Sequence, residues 1–185
     1  MKWMCLSLLC LAGCGATPKN TVDELTGCAS DEQWRTFDDA EGTTTIADDR
    51  GPQLLAPTGT VSFSQKPVFH WNQDPSTPGK PDGDVPYLDG PGCQACCPQF
   101  NTGALTTLHL PVISGNEYDL QFSIDGNRVY RVITTLQEWT PLDAVWTSWR
   151  GKTVSVKIIR LSVLVNSPKE GPFVASAPSQ FTVGQ

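Results

Sequence analysis

Three cysteines crowd together as Cys93-Gln94-Ala95-Cys96-Cys97, and two histidines, His70 and His109, supply the chain's imidazoles. Thiolates and imidazoles are the ligands of zinc and copper, and Cys-x-x-Cys ahead of a helix is a redox centre. Pro98 directly follows Cys97 and would begin such a helix, but Gln99 to Gly103 is too short and polar to continue it. His70 lies between Phe69 and Trp71, and His109 between Leu108 and Leu110, so on strands both point away from a core and read as surface residues. Asp82-Gly83-Asp84 and Asp89-Gly90 offer oxygen ligands for calcium; their spacing does not match a twelve-residue EF-hand loop, and Asp-Gly pairs are ordinary turn formers. Trp34, Trp71, Trp139, Trp146 and Trp149 suit a sugar-stacking platform, yet each also has a packing role. Hydrolysis finds no setting, since neither Gly-x-Ser-x-Gly nor His-Glu-x-x-His occurs. The adjacent Asp38 and Asp39 point apart rather than across a glycosidic bond.

The amino-terminal cysteines read differently. Lys2 precedes the apolar run Met4-Cys5-Leu6-Ser7-Leu8-Leu9-Cys10, and Leu11-Ala12-Gly13-Cys14 follows it. A positive start, a short apolar stretch and small residues at the cut describe an export signal, and the run is about half the ~20 apolar residues of a membrane span. The box Leu11-Ala12-Gly13-Cys14 resembles the lipobox of bacterial lipoproteins. That resemblance implies cleavage of residues 1–13, diacylglycerol on the Cys14 thiol, and usually a fatty acyl group such as palmitate on the new amino terminus. Gly15 after the lipidated position implies the outer membrane in families sorted by that residue.

Accepting the anchor changes the cysteine count. Cys5 and Cys10 leave with the signal, Cys14 is consumed by lipid, and Cys28, Cys93, Cys96 and Cys97 remain. An even number in an exported chain is expected to form two disulfides rather than a metal site, so no cofactor is expected. Three connectivities stay open; a vicinal Cys96–Cys97 bond is strained, which favours Cys28 pairing into the cluster. The mature chain would hold 172 of the 185 residues, enough for one domain and a tether. It would carry twelve basic against nineteen acidic residues, which argues against nucleic acid or an anionic membrane surface as partner.

The elements that must position these groups follow from periodicity. Residues 14–52 are polar and acidic and are expected to be a tether, with Trp34 and Phe37 able to dock and Ser30 and Gln33 fitting a capping box for a short helix, Asp31 to Phe37. Residues 53–185 are expected to form the domain. Val61 and Phe63, then Phe69 and Trp71, alternate as half-buried strands do. Between Asn72 and Gly103 repeated Pro and Gly stop any regular element, leaving an insertion, 73–103, cross-linked by its cysteines. Ala104 to Val112 resumes a strand. Tyr118 to Ile124 and Val129 to Thr134 pair across the turn Asp125-Gly126-Asn127. Thr140 is expected to cap a helix from Pro141 to Trp149, ended by Gly151, with Leu142, Val145, Trp146 and Trp149 on its covered face. The strand Lys152 to Val165 changes phase at Ile158-Ile159, as a β-bulge or a strand moving between sheets would make it. After a turn at Asn166 to Gly171, a last strand interrupted at Pro178 suits an edge.

Pro67-Val68-Phe69-His70-Trp71, which sends a tryptophan inward from an early strand, resembles immunoglobulin-like and fibronectin type III sandwiches. The resemblance implies an all-β sandwich, here with a long disulfide-linked insertion and one short helix, and speaks to fold rather than function. The expected function is a non-catalytic binding or structural module, lipid-anchored in the cell envelope. Its partners would be the membrane through Cys14 and an envelope protein or glycan, without nucleic acid. The alternative is a lipoprotein that recognises a glycan or calcium through the 73–103 insertion, and third comes a secreted enzyme.

Overall fold

The computed structural model describes residues 22–27, 29, 31–72, 114–165 and 167–185. Cys14, Cys28, Cys93, Cys96 and Cys97, the 73–103 insertion, the Ala104 to Val112 strand, Ser30 and His109 lie outside them.

The described residues are mostly β, in two sheets with two α-helices. The larger sheet contains β1 (Glu24–Thr26), β2 (Thr45–Ile46), β4 (Gly59–Val61), β6 (Gly115–Ile124), β7 (Asn127–Thr134), β9 (Thr153–Leu164), β10 (Ser167–Val174) and β11 (Ser179–Val183). Its path is β1-β7-β6-β9-β10-β2, with β11 joining β9 to β4. The smaller sheet is β3 (Leu54–Ala56), β5 (Phe69–Trp71) and β8 (Glu138–Trp139), in the order β3-β5-β8. Short strands at three borders, β1, β2 and β4, run parallel to their neighbours β7, β10 and β11.

The hairpin expected around Asp125-Gly126-Asn127 is present. β6 and β7 form a hairpin whose turn residues Asp125 and Gly126 have φ of 52° and 76°. Two successive left-handed residues match the right-handed twist of the flanking strands, and Gly at the second position takes that conformation without a Cβ clash. Tyr118, Leu120 and Phe122 then face one way and meet Phe69, Trp71 and Trp139 of the smaller sheet. Rings pack closely there: Phe69 lies 5.5 Å from Phe122, and Trp71 5.5 Å from Tyr118, both edge to face. Such pairs stabilise beyond their area by about 0.5–1.5 kcal/mol each.

β9 shows what its doubled isoleucine means. Its register with β6 is continuous from Gly115↔Val163 to Ser123↔Ser155, so no bulge interrupts this pair. Val154, Val156 and Ile158 enter the core between the sheets, whereas Ile159, Leu161 and Val163 enter a second core on the opposite face. The phase change therefore marks an exchange of covering layers over an unbroken strand. On its other edge β9 also exchanges partners, pairing with β11 over Thr153 to Val156 and with β10 over Ile159 to Leu164.

The second core is closed by the segment expected as a tether. From Val22 onward that segment is part of the fold: β1 pairs with β7, and α1 (Asp31–Ala40) lays Phe37, 2% exposed, with Trp34 onto Ile133, Ile159, Leu161, Val163 and Val174. The helix exceeds the expected Asp31 to Phe37 by a turn and continues as a 3-10 turn, Glu41–Thr43. Few apolar residues suffice because the sheet supplies the rest.

Three further expectations change. The helix α2 spans Asp143–Ser148 with Leu142 as its N-cap and no side-chain cap. Leu142 is extended and 54% exposed, off the covered face, while Trp146 and Trp149 enter the core as expected. β10 begins at Ser167, three residues after Leu164, so Ser167 to Gly171 of the expected turn is strand. The last strand is indeed interrupted near Pro178, but both halves, β10 and β11, lie inside the sheet with β2 and β4 beyond them.

Candidate functional site at one rim of the sandwich

The two ends of the sheets differ. At one end, the base, lie the β6–β7 turn, α2 and the start of β9. At the other, the rim, the chain leaves the described residues after Asn72 and returns at Ser114. Trp71 packs on Tyr118 near the start of β6, which puts Asn72 at this end. Both exits are pinned. The Asn72 side chain accepts a hydrogen bond from the Gln53 N–H at 2.6 Å, and the Asn72 N–H donates to the Gln53 carbonyl at 3.2 Å. Ser114 Oγ accepts from the Val165 N–H at 3.0 Å, tying the returning chain to the tip of the β9–β10 hairpin.

Gly27 and Ala29, the neighbours of Cys28, reach the same rim. β1 runs parallel to β7 with Thr26 opposite Thr134, and a Cβ on Gly27 would stand 2.6 Å from Thr135 Oγ1. The rim exposes apolar side chains as well, with Leu136, Leu164 and Val165 between 43% and 61% accessible. Below it, Arg50 donates to Glu170 at 2.6 Å with its guanidinium 4.2 Å above the Phe173 ring, and Arg160 approaches the same ring at 5.4 Å.

The buried ions serve the fold. Arg131 is fully buried and donates through Nε and Nη2 to the two Asp119 carboxylate oxygens, both at 2.9 Å. Gln121 adds a 2.8 Å bond to Asp119. The amino-terminal segment joins from outside: Asp38 lies 3.5 Å from Arg131 Nη1, and Asp23 accepts from the Arg131 backbone N–H at 2.8 Å. A buried bidentate pair held by these further hydrogen bonds is fixed in geometry and clamps β6 to β7.

Three ionisable groups elsewhere are perturbed. The Ser176 N–H, 2.6 Å from Asp48, holds the Asp48 carboxyl below its ordinary value. A hydrogen bond from Lys66, with its charge, does the same for Asp143. Burial first, then the Glu24 carboxylate that accepts its hydroxyl at 3.1 Å, pushes Tyr130 up.

Family models, curated proteins and solved structures give no match to this chain.

The residues singled out in the sequence distribute as follows. His70 faces outward on β5 with Nδ1 3.9 Å from a Glu138 carboxylate oxygen, in solvent as expected. Trp71, Trp139, Trp146 and Trp149 are at most 4% exposed and Trp34 packs on the second core, so these five do not form a sugar platform. The charged cluster beneath α1 was missed. Its signal was present in the polar alternation Glu117, Asp119 and Gln121 opposite Arg131, which reads as a solvated strand face until something covers it.

Proposed function

We propose that this chain is a lipid-anchored cell-envelope protein whose immunoglobulin-like sandwich works as a non-catalytic binding or structural module, with the rim as its recognition end. The observation that carries the reading is strand order. One layer runs β3-β5-β8 and the other contains β4-β11-β9-β6-β7, with a short helix between β8 and β9. This resembles an immunoglobulin-like sandwich in which the larger sheet gains an extra strand beside its central pair, and in that architecture the loops at one end carry recognition.

The rim supports the disulfide part of the reading. The flanks of Cys28 and both ends of the segment containing Cys93, Cys96 and Cys97 converge there, which favours Cys28 pairing into that segment. The core between the sheets contains aromatic residues, with no cysteine among the described residues, where antibody domains have an inter-sheet disulfide. Cys14 carries the anchor, with the outer membrane as its expected location. Recognition of a glycan or calcium through 73–103 stays as the alternative, without the core tryptophans as its platform.

The test is unreduced mass spectrometry of the protein recovered from membranes, beside a Cys14→Ser variant. The expected result is an acylated Cys14 peptide, two disulfides among the other four cysteines, and release of the variant from membranes. An unacylated Cys14 with continued membrane association defeats the anchor. A hydrolytic activity abolished by one substitution in the sandwich defeats the non-enzyme reading.

A further inference from the structure

From the entry point of the chain and the charge at the base, we infer that the base of the sandwich is the face held against an anionic lipid surface, leaving the rim directed away from it. The inference rests on the proposed lipid anchor at Cys14.

Reach is the first argument. Asp23 lies beside Arg131, which puts Val22 level with Tyr130 on β7. Because the segment is folded from Val22, eight chain steps separate it from Cys14 rather than a tether of 39 residues (14–52). Fully extended, those steps span about 28 Å. β1 runs towards the rim, so its start points to the base. Val22 is four residues along β7 from Gly126 and eight along β6 from the level of Leu164, about 13 Å and about 26 Å at strand rise. A short leash tied nearer the base keeps the base nearer the lipid.

Charge is the second. The base exposes Arg150 and Lys152 against Asp125, while Lys66 neutralises Asp143 at 2.5 Å. Leu142 stands exposed next to the Asp143–Lys66 pair, an apolar residue at the same end. The face over α1 and the following turns exposes Asp31, Asp39, Asp48 and Asp49 against Arg35, an acidic balance that an anionic surface repels. The chain is net acidic, but exposed cations stand at the base, and basic residues are drawn to an anionic surface.

The experiment uses the mature lipidated protein in vesicles of phosphatidylcholine with phosphatidylglycerol, probed with a soluble amine-acylating reagent and read by peptide mass spectrometry. Lys152, at the base, is expected to label at least about fivefold more slowly than in detergent, while Lys169, on the β10 side of the rim, changes less than about twofold. High salt, or the Leu142→Glu/Arg150→Glu variant, is expected to restore Lys152 labelling with the protein still floating with the vesicles. Protein that floats but labels equally at both lysines overturns the orientation alone. Protein that does not float overturns the anchor and the orientation with it.

Discussion

Arg131 and Asp119 are each at most 1% exposed, so neither tolerates loss of the other. Breaking a buried pair from one side costs about 3–5 kcal/mol, because the remaining charge has no solvent. Arg131→Met is expected to lower urea stability by that amount, and Arg131→Met/Asp119→Leu to recover much of it. A double variant no more stable than the single one would show that the guanidinium's other contacts, Asp38 among them, matter more. Tyr130 gives the pH dependence. Its folded value is raised above the ordinary 10.0, so the stability it contributes is complete below that pH and is lost as pH rises and the unfolded phenol ionises. Tyr130→Phe should flatten the alkaline limb of the stability curve; an unchanged limb assigns it elsewhere. Asp48 acts in the opposite direction, its lowered value making the bond to the Ser176 N–H complete above the ordinary carboxylate range and lost on acidification through the lowered value.

The hairpin β6–β7 and the inward tryptophans were legible because both rest on local chemistry, a left-handed turn and period-two alternation. The doubled Ile158-Ile159 was legible only as a change of phase. A strand covered on both faces shows such doublets, but the cover here comes from residues more than a hundred positions earlier. Parallel pairing of β1 with β7 is equally nonlocal, so composition made residues 14–52 look like a tether. The rim was invisible for the same reason, since Gly27, Asn72 and Ser114 come to one end of the sheets only through those pairings. Phe37→Ala should cost about 3–5 kcal/mol and expose α1 amides to hydrogen exchange before those of β6. Uniform exchange across both would mean that the two cores open together. Gly51 is a sharper probe of the same docking, since an added Cβ would fall 2.2 Å from the Ala175 nitrogen, inside contact distance. Gly51→Ala is therefore expected to lower the thermal midpoint more than Gly42→Ala, where no atom stands within 4 Å.

At the scale of the whole molecule, the sandwich and its cover share β9, and that sharing sets where the protein ends as a folding unit. A fragment of residues 53–185 retains both sheets except β1 and β2, and inspection of its strands would pass it as complete. It would nonetheless present Ile133, Ile159, Leu161 and Val163 to water, beside Arg131 and Asp119 stripped of Asp23 and Asp38. An open apolar sheet face of that kind self-associates. The fragment is expected to sediment as aggregates, whereas residues 22–185 sediment as a discrete species. A monomeric, folded 53–185 fragment would show the cover to be dispensable. The acidic segment at residues 22–51 thus works as a built-in cover, synthesised before the sheet face that it closes.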